Sequence, residues 1–327
     1  MSKIRIGIIG YGNLGRGVQL AIKQNPDMEL VAVFTRRDPS TIQVNDTSVG
    51  VYLIEEAINF RDKIDVMILC GGSAKDLPDQ TPQIAQVFHT VDSFDTHALI
   101  PEFFDKVDKV AKSSNKISVI SVGWDPGLFS LNRLLGEVVL PKGSTYTFWG
   151  DGLSQGHSDA VRRIEGVKNA VQYTLPVKEA VERVRTGEHP ELSTREKHTR
   201  ECFVVLEEGS NKEVVEQQIV NMPNYFTDYD TTVHFISEEE LEQNHSGMPH
   251  GGFVIRSGES GQQEKQLMEF SLKLESNPNF TSSVLVAYAR AAFRLGQAGQ
   301  NGAKTAFDIP FGLLSPKLPE QLRAELL

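Results

Sequence analysis

The sequence predicts a doubly wound α/β domain followed by an α+β domain. Three observations carry this. Short apolar runs alternate with helix-length segments as far as Gly123, and a glycine-rich turn closes the first of those runs. Beyond Gly123 the strand candidates alternate apolar with polar residues instead of being apolar throughout.

Residues 4–9 read as a buried strand, 14–24 as a helix and 29–34 as a second strand. Residues 54–60 are helix-like, 66–70 form a strand bounded by Gly71 and Gly72, 78–88 a helix and 89–92 a short strand. In 101–112, Phe103, Phe104, Val107, Val110 and Ala111 recur at helical spacing, and 117–121 is again a strand. Such alternation implies parallel strands with helical crossovers. After Gly123 come a helix at 128–139, a strand at 145–149 and a glycine-rich loop at 150–156. Residues 177–185 and 213–220 read as amphipathic helices, 200–206 and 231–236 as strands. Met268, Phe270, Leu272 and Leu274 alternate with Glu269, Ser271 and Lys273, the pattern of a strand with one wet face, and this apolar stripe is read as core. The second sheet is therefore expected to be mixed or antiparallel. The Ala-rich helix at 282–295 is expected to return to the first domain, dividing the chain into 1–123 with 278–327, and 124–277.

Lys plus Arg number 33 against 43 Asp plus Glu, a formal charge of -10, which argues against a general nucleic-acid or anionic-membrane binder. Cys70 and Cys202 match neither a metal-ligand spacing nor a disulfide framework, as fits a reducing cytoplasm. Residues 4–9 end at a glycine turn and not at a signal-peptide cleavage site, and no run of about 18 apolar residues is long enough to span a bilayer. A cytoplasmic protein is expected. His157, Asp159, His245 and His250 form no compact ligand set, so no metal is expected.

Gly10-Tyr11-Gly12-Asn13-Leu14-Gly15 follows a strand and opens a helix, the context in which GxGxxG binds a dinucleotide on a Rossmann-type sheet. Gly10 permits the turn, Gly12 lets the main chain approach a pyrophosphate, and Gly15 allows the helix to pack closely. The helix N-terminus offers N–H donors and partial positive charge. An NAD site usually places an acid at the end of the second strand, but this chain has Thr35-Arg36-Arg37 there. A hydroxyl and two guanidiniums suit a 2′-phosphate, so the cofactor is read as NADP. Asp38 is misplaced for the missing acid. Cys70, Gly71, Gly72 and Ser73 end a further strand, where small residues let the cofactor lie against the backbone. Cys70 reads as a buried thiol and not as a nucleophile.

Asp95 and Asp125 each follow a strand, so each faces the crevice at the carboxyl edge of the sheet. Two carboxylates there suit a cationic group such as an ammonium. Asp95 could instead cap the next helix, and Asp125 could be a turn residue. Their neighbours Ser93, Phe94, Gly123, Trp124, Pro126 and Gly127 are placed with them beside the cofactor.

These segments, together with residues 147–160, 172–176, 248–252 and 277–280, resemble the meso-diaminopimelate dehydrogenase family over essentially the whole chain. The departure is Gly71, where the family carries a larger residue, and it bears only on packing beside the nicotinamide. The resemblance implies a Rossmann domain, a dimerisation and substrate-binding domain, and a homodimer. It also implies NADP-dependent oxidative deamination of meso-diaminopimelate at its D-centre. By the family's pattern the D-end lies near Asp95, Asp125, Trp149, Gln155 and Gly156. The L-end is held by Thr174, Arg200 and His250, with Asn277 also touching substrate. Asp95 or Asp125 would serve as the proton acceptor. The rival readings are a D-amino acid dehydrogenase of broad substrate range and a catalytically silent NADP sensor. Neither a nucleophilic cysteine nor the Glu-Lys-Pro segment of sugar oxidoreductases is found.

Overall fold

The computed structural model describes residues 3–46 and 48–327. In chain order the first elements are β1 (Ile4–Ile9), α1 (Asn13–Lys23), β2 (Met28–Thr35), β3 (Gly50–Leu53), β4 (Val66–Leu69), α2 (Leu77–Ile84), β5 (His89–Asp92), α3 (Ile100–Ser113), β6 (Ile117–Val119) and α4 (Leu128–Val139). Then follow β7 (Gly143–Trp149), β8 (Gly152–Leu153), α5 (Gln155–Arg162), β9 (Val167–Pro176), α6 (Lys178–Arg185), α7 (Thr194–Lys197), β10 (His198–Leu206), α8 (Lys212–Val220), β11 (Asp230–Phe235), α9 (Glu238–His245), β12 (His250–Ser260) and β13 (Glu264–Leu274). The chain closes with α10 (Asn277–Gln297), β14 (Gly302–Lys304) and α11 (Pro319–Leu326). It forms two compact units, Met1–Leu131 with Pro278–Leu327, and Asn132–Asn277.

The first unit holds a parallel sheet in the order β14-β6-β5-β4-β1-β2-β3, reversing direction of travel beside β1. Because side chains alternate across a strand, each central strand feeds two cores. Ile6, Ile8, Val66 and Ile68 enter one, packed under Leu285, Tyr288 and Ala292 of α10. Ile9, Met67 and Leu69 enter the other, with Phe88, Phe103 and Val107. Burying each such side chain contributes about 1.5–3 kcal/mol, which is why these strands are apolar without interruption.

The second unit has two sheets. One is mixed: β8, β9 and β10 are antiparallel neighbours, and β11 runs parallel to β10. The other is antiparallel, in the order β13-β12-β7.

Several elements depart from the sequence expectation. Residues 54–60, expected to be helix-like, are helical and wind as a 3-10 helix in which Ala57 alone is buried. The loop expected at 150–156 contains β8 and the start of α5. β3, β9 and β14 are short or irregular in pattern, and the apolar alternation of β12, a continuous strand, is interrupted by Gly251, Gly252 and Gly258. Gly252 is structurally demanded: its φ is +145°, and a Cβ there would lie 2.1 Å from the Phe148 carbonyl oxygen. α9 buries only Leu241, so its acidic sequence gives no helical stripe. The Met268–Phe270–Leu272 stripe of β13 is half-buried rather than core, and only Leu274 of that series is buried.

Candidate active site

At the carboxyl edge of the parallel sheet, Gly10, Tyr11, Gly12, Thr35, Arg36, Arg37, Cys70, Gly71 and Gly72 line one cleft of 220 Å³. Ile9, Ile54, Asp76 and Gln80 complete it. Each glycine of the turn has a distinct reason. Gly10 has φ +89°, and a Cβ on Gly15 would lie 2.1 Å from the Gly10 carbonyl oxygen. Among the described residues, and its chain neighbours apart, none comes within 4 Å of where a Cβ on Gly12 would be. Protein packing therefore does not require glycine at 12, whereas a ligand pressed against the backbone would. α1 begins directly after Gly12 with no side-chain cap, leaving its first N–H groups directed at the cleft. The Tyr11 ring is buried and its hydroxyl bonds Gln19, so Tyr11 offers the cleft its main chain.

At the end of β2 the Arg37 N–H donates to the Thr35 hydroxyl at 3.1 Å and its guanidinium to the Tyr11 carbonyl at 3.3 Å. Arg36 forms an ion pair with Asp76 at 2.9 Å. The other oxygen of Asp76 accepts from the Gly72 N–H at 2.8 Å. Asp38 is occupied elsewhere, accepting from the Ser40 N–H at 2.9 Å. A cluster of hydroxyl and guanidiniums without a free acid fits a 2′-phosphate. Burial pushes the Cys70 thiol far above its usual range and Cys202 up to about 12, so neither is a poised nucleophile.

Asp95 and Asp125 stand beyond the ends of β5 and β6, outside that cleft. Asp95 is exposed, and its N–H donates to the Ser73 hydroxyl at 2.9 Å. It does not cap α3, whose cap residue is Leu99. Asp125 lies in a turn closed by a Gly123–Gly127 bridge and by the Phe129 N–H donating to the Trp124 carbonyl at 2.8 Å. Phe94 and Trp124, placed beside the cofactor from sequence, turn their rings into the core against Phe103 and Phe129. Ser93 is half-buried next to them.

In the second unit a row of residues crosses adjacent strands. Thr174 pairs in register with Gly152 on one side and Arg200 on the other. The imidazole of His250 lies over Gly152, where a Cβ would be 2.4 Å from Nδ1. Arg200 is 6% exposed, donates to the Thr174 hydroxyl, and stacks with its guanidinium carbon 3.9 Å from the Tyr229 ring centre. Its Nε has no partner, and burial lowers its proton affinity, with the Tyr229 side chain acting the other way through charge and hydrogen bonding. A buried guanidinium held by a hydroxyl and an aromatic side chain, with no carboxylate among its partners in the described residues, has the chemistry to receive an anion.

α5 is placed by Ser154, whose N–H donates to the Gln172 carbonyl at 2.9 Å and whose hydroxyl caps the helix. Gln155 donates to the Met248 sulfur at 3.1 Å. Among the described residues, its own helix backbone and chain neighbours apart, none comes within 4 Å of a Cβ at Gly156, a second glycine that packing does not demand. The Asn277 N–H donates to the Met248 carbonyl at 2.9 Å, holding the start of α10 beside β12. Trp149 ends β7; its N–H donates to Nε2 of His198 at 2.8 Å and its ring stacks on that imidazole. His198, Gly152, Tyr229 and Asp76 were not legible as site residues, because each acts through a contact between strands or loops distant in sequence. A wider cleft of 710 Å³, lined by Tyr173, Val181, Phe253 and Leu272, is not lined by Thr174 or Arg200. Among the described residues no group of three or more His, Cys, Asp or Glu is arranged to hold a metal.

The comparisons with known proteins agree with this geometry. The diaminopimelic acid dehydrogenase C-terminal domain family matches residues 123–276. The meso-diaminopimelate D-dehydrogenase of Lysinibacillus sphaericus is 76% identical over 327 residues, all of both chains. That of Ureibacillus thermosphaericus is 73% identical over the same span. Among solved structures, the C. glutamicum DAP dehydrogenase in complex with DAP superposes with a TM-score of 0.92 at 43% identity, all of both chains being covered. An engineered D-amino acid dehydrogenase bound to NADP+ superposes with a TM-score of 0.87 at 42% identity, again over all of both chains. With full-length identity at this level, beside a glycine-turn cleft that carries Thr35, Arg36 and Arg37 at the end of β2, the chain belongs to the meso-diaminopimelate D-dehydrogenase family.

Proposed function

We propose that this protein is an NADP-dependent dehydrogenase of meso-2,6-diaminopimelate, acting at the D-centre. It converts the substrate, NADP+ and water to L-2-amino-6-oxopimelate, ammonium, NADPH and a proton, reversibly, a reaction that belongs to lysine biosynthesis. The observation that carries this is Arg200, a buried guanidinium with no acid partner among the described residues, in one row with Thr174 and His250. An amino acid with a second, distal carboxylate satisfies that charge, and a simple D-amino acid does not.

Residues 1–123 with 278–327 serve as the dinucleotide-binding domain and 124–277 as the substrate and dimerisation domain. Gly10 to Gly15 cradle the pyrophosphate, and Thr35, Arg36 and Arg37 hold the 2′-phosphate. Bound NADP+ supplies the hydride acceptor. Asp95 and Asp125 hold the D-ammonium, and one of them takes its proton at a carboxylate oxygen before the Cα–H bond breaks. The same carboxylate returns protons as water adds to the imine and ammonia leaves, a form of help that contributes about 10²–10⁴-fold. Trp149, fixed by His198, screens the hydride path from water. Gln155 and Gly156 offer donors to the D-carboxylate. Arg200, Thr174 and His250 grip the L-carboxylate, with Asn277 beside them.

The protein is proposed to be a cytoplasmic homodimer. Two free thiols support the compartment. Among the described residues no helix is long and apolar enough to cross a membrane. Leu134, Leu135, Val138 and Val139 of α4 are exposed together, at 41–70%, and support a face covered by a second copy.

The test is stoichiometry and cofactor choice. One NADPH and one ammonium are expected per meso-diaminopimelate consumed, with NAD+ a poor substitute. Tight NADPH binding with no ammonium released from any amino acid would favour the sensor reading.

A further inference from the structure

The last residue of β5, Asp92, is fully buried and has no part in the mechanism above. One oxygen of its carboxylate accepts from two main-chain N–H groups on different loops, Phe94 at 3.0 Å and Ser121 at 3.0 Å. The other accepts from the Thr81 hydroxyl of α2 at 2.9 Å. Its carbonyl takes the Val122 N–H at 3.0 Å. One residue thus joins α2, the exit of β5 and the exit of β6.

Those two exits carry Asp95 and Asp125. Asp95 follows Phe94 directly, and its own N–H is fixed on Ser73. Asp125 follows Ser121 by four residues, and Ser121 holds a left-handed φ of +55° that a non-glycine residue adopts only when its surroundings impose it. The turn bearing Asp125 is closed on itself by the Gly123–Gly127 bridge, and Val122, between that turn and Ser121, is itself held by the Asp92 carbonyl. Burial without a neighbouring cation pushes Asp92 up to about 6, an unfavourable setting for a carboxylate. Its retention there follows from the acceptor geometry it supplies.

We infer that Asp92 is the positioning residue that sets the spacing between Asp95 and Asp125. It does so by gripping both loops with a single oxygen. The inference rests on the reading of Asp95 and Asp125 as the carboxylates of the reacting end.

The experiment compares Asp92→Asn, Asp92→Ser and Asp92→Ala in the full chain with Asp95→Ala and Asp125→Ala. It records kcat and KM for meso-diaminopimelate, the NADP+ dissociation constant by fluorescence titration, and the thermal midpoint. Asparagine keeps an oxygen for both N–H groups, and the Thr81 hydroxyl can reverse to accept from its amide. Asp92→Asn is therefore expected to keep kcat within about threefold of the parent. Asp92→Ala frees both loops and is expected to lower kcat on the order of 10²-fold, the scale of a misplacement near 1 Å, with NADP+ binding changed less than about threefold. Asp92→Ser keeps a hydroxyl that satisfies only part of the set. It serves where the alanine variant does not fold, with an expected loss in kcat of about tenfold or more.

Full kcat in Asp92→Ala or, where that variant does not fold, in Asp92→Ser overturns the inference. So does an asparagine variant as slow as alanine, because charge and not geometry would then be at work. A joint collapse of kcat, cofactor affinity and thermal midpoint in the serine and alanine variants overturns it too, by reducing Asp92 to a structural role. Full kcat in both Asp95→Ala and Asp125→Ala overturns the underlying reading instead, whatever Asp92 does.

Discussion

At the scale of the residue, the most informative groups are those whose chemistry the protein alone leaves incomplete. Arg200 is one: its charge is buried against Tyr229 and Thr174 with no acid partner among the described residues. Hydrogen bonds to charged groups contribute about 1.5–3 kcal/mol, so Arg200→Met is expected to raise KM for diaminopimelate by roughly 10–100-fold. The same change removes an uncompensated buried charge, so the thermal midpoint should hold or rise. A fall in the midpoint with KM unchanged would assign Arg200 to the fold. Gly152 is the second. An alanine Cβ would lie 2.4 Å from the His250 ring, so Gly152→Ala must displace that imidazole. The expected outcome is a raised KM for diaminopimelate, about tenfold for a displaced donor, with the NADP+ dissociation constant unchanged. Steady-state kinetics beside a binding titration reads both.

At the scale of the element, what could be read from the sequence depended on whether a segment's function is local. The β1–α1 turn is a motif contiguous in sequence: Gly10 is set by its φ of +89° and Gly15 by the Gly10 carbonyl, while Gly12 is left open by the protein. The central strands were legible because both their faces are buried. β12 was not, because its glycines serve the close approach of β7 and β13 and so break the alternation. The same holds for the site. Thr35, Arg36 and Arg37 sit side by side in sequence and declare a phosphate. The row His250–Gly152–Thr174–Arg200 exists only once β12, β8, β9 and β10 are adjacent. From sequence, its ligand role came from family resemblance and not from periodicity. At the end of β2, replacing both Arg36 and Arg37 by alanine is expected to raise KM for NADP+ by about 10–100-fold and to leave KM for NAD+ little changed. Equal loss for both cofactors would contradict the 2′-phosphate assignment.

At the scale of the whole molecule, buried histidines make the two units unequally sensitive to acid. Nδ1 of His89 accepts the Ile117 N–H at 2.9 Å, and Nε2 of His198 accepts the Trp149 N–H at 2.8 Å, so both nitrogens must be unprotonated. Burial pulls His89, His157 and His198 down to about 4, against an ordinary value of 6.5. A depressed histidine supports the fold fully above pH 6.5, and that support is lost as pH falls toward 4, because the unfolded chain takes the proton first. Asp92 runs the other way, since its raised value of about 6 means the folded state takes its proton first. In the first unit His89 is thus offset by Asp92, whereas His157 and His198 of the second unit have no such offset. Stability of the second unit should fall by roughly 3 kcal/mol per pH unit between pH 6 and 4.5, from two protons at about 1.36 kcal/mol each. Trp124 lies in the first unit and Trp149 in the second, so single-tryptophan variants report each separately in urea titrations. Earlier acid loss of the first unit would contradict this. The exposed α4 face belongs to the same scale. Val138→Asp is expected to convert a dimer to monomer in sedimentation, and an unchanged sedimentation coefficient would place the contact elsewhere.

The central claim, that the two ends of one substrate are read by different chemistry, is tested most directly by stereochemistry. Purified protein with NADP+ is offered meso-, L,L- and D,D-diaminopimelate in turn, and NADPH absorbance is followed. A D-centre reacting beside Asp95 and Asp125, with an L-centre held by Thr174, Arg200 and His250, should reduce NADP+ strongly with the meso isomer alone. Comparable rates with the L,L isomer, or rapid turnover of simple D-amino acids without meso-diaminopimelate, would contradict the account.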